Sequence, residues 1–107
     1  MTDPAGNFIQ LKSTTDRLRW QMTVTSEVAG ATGTLHGGCG LAAAAAGMEA
    51  VTGRPILYIA GQYLARAPIG SEVLVEVEEL AVGNRVTQAA ASVVNEGGVV
   101  LRASAAL

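Results

Sequence analysis

With Cys39 as its only cysteine the chain has no internal disulfide available, and with one histidine and no CxxC spacing it offers no closed zinc site. It also lacks an excess of positive charge. Seven Lys and Arg stand against nine Asp and Glu, a formal charge of −2, which excludes the broad basic field that holds nucleic acid or an anionic membrane surface. No apolar run is long enough for a bilayer: the longest charge-free one, residues 37–48, falls well short of the roughly 20 residues a spanning helix requires. Asp3 and Pro4 stand where a secretory signal would place basic and then apolar residues. Internal repeats and low-complexity tails are missing as well. These absences lead to the expectation of a reduced, cytoplasmic chain with no membrane insertion and no nucleic-acid partner. At 107 residues it fits one domain spanning 1–107, large enough for a core and small enough for partner contacts to matter.

What is present is a clear alternation of periods. Residues 1–7 read as a loose leader, and Phe8-Ile9-Gln10-Leu11 as a short strand or turn covering one end of the core. Leu18, Trp20, Met22 and Val24 alternate with Arg17, Arg19, Gln21, Thr23 and Thr25, the period of two of a strand with one apolar face. Residues 39–51 break that period. They are Ala-rich and free of Pro, with Leu41, Ala45, Met48 and Val51 at spacings of three and four, which predicts a helix. The run of small residues from Ala42 to Ala46 lets a neighbouring backbone come close. Gly53-Arg54-Pro55 ends the helix, because Gly takes the left-handed cap and Pro cannot continue the hydrogen-bond ladder.

Four strand-like stretches follow, at 56–66, 72–80, 85–94 and 99–107. The connections Ala67-Pro68-Ile69-Gly70, Ala81-Val82-Gly83-Asn84 and Asn95-Glu96-Gly97-Gly98 have hairpin composition and length. The expected order is strand, helix, then an antiparallel meander. Val73, Val75 and Val77 alternate with Glu72, Glu76 and Glu78, so the second of these strands turns an acidic face to water. The economical layout is one sheet partly surrounding one apolar helix.

The segment Gly33-Thr34-Leu35-His36-Gly37-Gly38-Cys39-Gly40 joins a flexible turn, the lone histidine and cysteine, and the helix start. The first backbone N–H groups of a helix lack intrahelical partners and, with the aligned peptide dipoles, favour negative charge. A carbonyl oxygen becoming an oxyanion would gain from them.

Taken in this order, Leu35-His36-Gly37-Gly38 before the helix, Tyr63-Leu64-Ala65-Arg66-Ala67-Pro68 leading to Gly70, Glu76-Val77-Glu78-Glu79-Leu80 before Gly83-Asn84, and Leu101-Arg102-Ala103-Ser104-Ala105-Ala106-Leu107 resemble the hotdog fold of acyl-CoA thioesterases. They are particularly similar to the N-terminal half of the tandem-hotdog acyl-CoA thioesterase II type. The resemblance implies an α+β fold with an antiparallel sheet wrapped around one long central helix, and residues 1–107 as a single hotdog domain. It further implies an acyl thioester substrate, cleaved to free acid and CoA without metal or redox cofactor, and a homodimer or higher homo-oligomer whose sheets join. The alternative is a catalytically weak acyl-binding or assembly domain that needs a second hotdog domain. That alternative draws on a departure. Hotdog thioesterases with His-Gly-Gly commonly carry an acid about two turns into the helix, where this chain has only alanine, and the catalytic Asp, Thr and Gln of the tandem type belong to its other domain.

The candidate catalytic residues are His36, Gly38 and Glu49. Gly37 and Gly38 can present N–H groups to a thioester carbonyl, since the missing Cβ permits close approach, or can simply form a tight turn. His36 can orient the loop, donate to substrate or relay a proton, or bond across the turn. Glu49 is the only acid between Glu27 and Glu72, hence the only helix residue able to act as base. Otherwise it is a solvated end residue or a partner of Arg54. The candidate substrate-binding residues are Gly37, Cys39, Gln62, Tyr63 and Arg66. Cys39 at a helix start is either an activated thiol or a space-filler. Gln62 can position water, Tyr63 can line the acyl path or pack the strand, and Arg66 can meet a CoA phosphate or serve solubility.

Overall fold

The computed structural model describes residues 11–30, 33–35 and 37–107. Among these residues the elements occur in the order β1 (Lys12–Ser13), β2 (Arg19–Thr23), α1 (Gly37–Thr52), β3 (Tyr58–Tyr63), β4 (Glu72–Val82), β5 (Thr87–Asn95) and β6 (Gly98–Ala106). The strands form one six-stranded sheet in the order β1-β2-β4-β5-β6-β3, antiparallel at every pairing. An antiparallel sheet packed on one long helix is the expected fold class. Of the leader and the short element expected near residues 8–11, residues 1–10 lie outside the described residues. Among the described residues, no helix is long and apolar enough to cross a membrane.

One part of the expected topology is corrected. The four strands after the helix do not run as one meander, because only β4, β5 and β6 are consecutive neighbours. β3 pairs with β6 at the far edge, Tyr58 opposite Ala106 through Tyr63 opposite Leu101, so residues 64–71 cross to the other side of the sheet instead of turning a hairpin. Loop composition sees a turn but not which strands it joins. The 95–98 connection is a hairpin as expected, with Asn95 opposite Gly98 and a positive φ of 122° at Gly98.

The sheet face towards α1 follows the period of two. Met22, Val73, Val75, Val77, Ala89, Ala91, Val93, Leu101, Ala103 and Ala105 are all buried against it. The opposite face of β2, β4 and β6 carries ion pairs, Arg19–Glu76 at 3.0 Å and Arg102–Glu78 at 3.2 Å. Their exposure makes them worth little individually.

The helix presents a different stripe from the one its larger residues suggest. Gly40, Ala43, Ala44, Gly47 and Met48 are buried, while Leu41, Ala45 and Val51 are half-buried on its flanks. The smallest side chains face the sheet because the backbones approach closely: a Cβ on Gly47 would stand 2.8 Å from Val75 Cγ1, and one on Gly61 of β3 would stand 2.8 Å from Leu41 Cδ1. The helix stops as expected at Gly53 (φ 69°), whose N–H donates to Glu49 O at 2.9 Å.

Two predictions follow from this packing. Val75 is branched and fully buried, so Gly47→Ala overpacks at a cost of about 1–3 kcal/mol, against a helix-propensity gain of about 1 kcal/mol. The net expectation is a loss of up to about 2 kcal/mol, read as a lower urea midpoint at unchanged slope; an unchanged or raised midpoint would contradict the close approach. The second concerns Glu72, whose carboxylate accepts from Thr23 Oγ1 at 2.8 Å and from Gln21 Nε2, joining β2 to β4. Those bonds, Thr23 first, hold its pKa below the ordinary value. The charged form is therefore favoured by folding, so its contribution is present at neutral pH and disappears as pH falls through the lowered pKa. Thermal midpoints of wild type and Glu72→Gln, recorded between about pH 7 and about pH 3, should differ slightly at neutrality and converge in acid; a constant gap would remove Glu72 from this role.

Candidate functional site

The start of α1 is held by backbone pairing on both sides. Gly33 adopts φ 76°, a conformation Gly reaches without a steric cost, and its N–H donates to Gly30 O at 3.0 Å. Residues 34 and 35 then pair in two directions. Leu35 bridges to Ala29 and Thr34 to Pro68, Leu35 N–H donates to Ala67 O at 2.7 Å, and Ile69 N–H donates to Gly33 O at 3.0 Å. The crossover from β3 to β4 is therefore one wall of the clamp that aims the helix. Leu35 also packs on the core, and a Cβ on Gly40 would meet its Cδ2 at 3.4 Å and Leu101 Cδ1 at 3.5 Å, so the first turn is seated against β6.

The helix begins at Gly37, two residues before the expected boundary, which puts Gly37 and Gly38 in its first turn. Gly38 is exposed and Gly37 half-buried. Over Gly37 lies Tyr63, the last residue of β3. Its Oη donates to Gly37 O at 2.8 Å, and a Cβ on Gly37 would come within 3.2 Å of Tyr63 Cε1 and 3.3 Å of Cζ. Gly37, Gly38 and Tyr63 are the site candidates that one chain brings together.

The other candidates fall elsewhere. Cys39 is half-buried and packs against the core, as a space-filling thiol does. Glu49 sits at the far end of α1, roughly 16 Å from Gly38 along the axis at about 1.5 Å per residue. Its Oε2 accepts from Ile56 N–H at 3.0 Å, tying the helix end to the approach to β3. Arg54, weighed as its ion-pair partner, instead donates through Nη2 to Gly83 O at 2.7 Å and Asn84 O at 3.3 Å. That guanidinium serves the β4–β5 turn. Gln62 is turned to the sheet face away from the helix by the strand alternation that turns Tyr63 towards it. There it lines a cleft of about 210 Å³ with Arg102 and Ser104. Arg66 is exposed beyond β3. His36 lies outside the described residues.

Two features of the site escaped sequence reasoning. The clamp of residues 34 and 35 consists of isolated bridges, too short to produce a period. The Tyr63–Gly37 contact joins residues far apart in the chain, and the local hint that β3 lies close to another element was Gly61, a glycine inside a strand, which marks a close approach. That approach is Leu41 of α1.

The comparisons agree with the fold. A protein of Novosphingobium aromaticivorans described as a thioesterase superposes with a TM-score of 0.85 at 29% identity, over 98% of this chain and 40% of that one. The chain thus spans less than half the length of that relative. The PaaI protein of the E. coli phenylacetic acid degradation operon gives a TM-score of 0.84 at 14% identity, over 97% of this chain and 82% of its own. A Streptococcus mutans protein solved with acetyl-CoA gives 0.78 at 16%, over 90% and 83%. The last two speak to fold alone. A comparison with curated proteins returned no match. The model of the acyl-CoA thioesterase N-terminal domain matches residues 25–107, a span that takes in the clamp, all of α1 and strands β3 to β6, and the chain belongs to that family.

Proposed function

We propose that this chain takes part in hydrolysing an acyl thioester, in the first instance an acyl-CoA, at the N-terminus of α1 within a pair of hotdog domains. The observation that carries the reading is the place of Gly38, an exposed residue in the first turn of a helix that the family match covers. When water adds to the thioester carbonyl, the oxygen takes on negative charge, and a preorganised N–H at a positive helix end stabilises it. Collapse of the tetrahedral intermediate expels the CoA thiol and leaves the free acid. The scheme needs no metal or redox cofactor. The match to the acyl-CoA thioesterase N-terminal domain supports acyl-CoA as the substrate class.

The base is supplied by a paired domain. Ala42 to Ala46 hold no proton acceptor, and Glu49 of the same chain is engaged at the opposite helix end, so Glu49 reaches the site only if a second chain carries it there. Among the described residues β3 is an edge strand, with its own Tyr58 (65%) and the adjoining Leu57 (65%) and Leu64 (59%) exposed. Such an edge invites pairing with another strand. Joining two β3 edges continues the sheet and sets a second helix beside the first. The second domain is either another copy of this chain or, as in the tandem acyl-CoA thioesterase II type, a following domain; the 40% coverage of the Novosphingobium protein supports the latter. The alanine run favours a second reading, an acyl-binding half that depends on its partner for chemistry.

Free-CoA release from a panel of short to long acyl-CoAs tests the scheme. Turnover is expected to fall on the order of 10²-fold in Gly38→Pro, which deletes one amide donor in the first turn, with helicity by circular dichroism retained. Glu49→Ala separates the sources of the base: retained turnover assigns it outside Glu49, whereas lost turnover with unchanged assembly assigns it to Glu49 of a partner chain. No turnover by assembled wild type leaves the acyl-binding half. For the pairing edge, Tyr58→Glu combined with Leu64→Glu should move the sedimentation coefficient from a pair to a single chain; wild type sedimenting as a single chain would discard self-pairing.

A further inference from the structure

The carbonyl oxygen of Gly37 and the N–H of Gly38 belong to the same peptide unit, which resonance keeps planar, with oxygen and hydrogen on opposite sides. Whatever fixes the oxygen therefore fixes the direction of the N–H. In an α-helix that oxygen already accepts from the N–H four residues on, and its second lone pair is open to another donor. Tyr63 Oη occupies it at 2.8 Å. From the physics of this one amide, and resting on the reading of Gly38 as the oxyanion donor, we infer that Tyr63 is the positioning residue of the site. Its hydroxyl sets the plane of the Gly37–Gly38 peptide and polarises it, so that the Gly38 N–H is both aimed and strengthened as a donor.

Three observations favour this role over strand packing. Tyr63 is 54% exposed, so burial gives the ring little reason to be held where it is. The contact is specific to the hydroxyl, whereas the ring face on Gly37 would be served equally by Phe. Gly37 is also the residue type that lets the ring close down, since a Cβ there would press on Cε1 and Cζ at 3.2 and 3.3 Å. The arrangement couples two parts of the molecule. Tyr63 ends the edge strand β3, so anything that orders this edge, a second domain above all, also orders the amide.

Tyr63→Phe removes the hydroxyl and keeps the ring. Two measurements on isotope-labelled full-length chain test the inference together: the amide resonance of Gly38 in the absence of substrate, and kcat and KM on the best acyl-CoA of the panel. The expected result is a displaced Gly38 resonance and kcat lowered about five- to tenfold, the worth of one hydrogen bond, with KM little changed. Gly37→Ala, which keeps the hydroxyl but pushes the ring away, should displace the Gly38 resonance in the same sense. An unmoved resonance in Tyr63→Phe overturns the inference. So does a change in KM alone, which would make Tyr63 a wall of the acyl path. If wild type turns over no thioester, the hydrolytic reading fails separately, and the resonance alone then decides whether Tyr63 governs this amide: displacement upholds it and no displacement ends it.

Discussion

The fold depends on how closely one helix can approach one sheet. α1 offers the sheet Gly40, Ala43, Ala44 and Gly47, with Met48 as its one large buried side chain, and the facing strands answer with Ala89, Ala91, Ala103 and Ala105 beside valines. Small against small brings the backbones together, and interiors packed this way have little room to absorb added volume. The consequence is rigidity at the helix start. A helix seated along much of its length on the sheet cannot swing its first turn, so the core and the clamped residues before the helix place that turn together.

The second constraint is the crossover from β3 to β4. Because β3 joins the sheet beside β6 and β4 joins it beside β2, the segment between them must traverse the helix start. In passing it supplies the Ala67 carbonyl and the Pro68 bridge that hold residues 34 and 35. Edge strand, crossover and helix start therefore behave as one unit, and Tyr63 is the side chain through which the edge touches the helix. The proposed site therefore lies at the margin of the domain, where the helix start adjoins the exposed residues of β3.

Much of this was legible in the chain. The alternation from Leu18 to Val24 and from Glu72 to Val77, the Pro-free alanine helix and its Gly53 stop all appear where local periodicity places them, because each is set by residues near in sequence. That Gly37 and Gly38 stand at the helix start was legible as well, to within two residues. What periodicity misread was direction and partnership. Of the residues whose spacing marked the helix, Leu41, Ala45, Met48 and Val51, only Met48 is fully buried, and the rest of the buried stripe is Gly40, Ala43, Ala44 and Gly47, because hydrophobicity rewards size whereas close approach rewards its absence. For Glu49 a bond to Arg54 was one of the roles weighed, yet each side chain satisfies backbone groups elsewhere in the chain.

The sequence by itself determined the elements, the family and the chemical character of the helix start, since propensity, spacing and the run from Leu35 to Gly38 are local properties of a chain. The tertiary structure alone decided that β3 leaves its neighbour β4 for the far edge, that Tyr63 closes over Gly37 while Gln62 turns away, and that Glu49 is committed to the opposite end of the helix. These are outcomes of long-range pairing, in which a one-residue change of register reverses which side chain faces the site, and no local pattern records them.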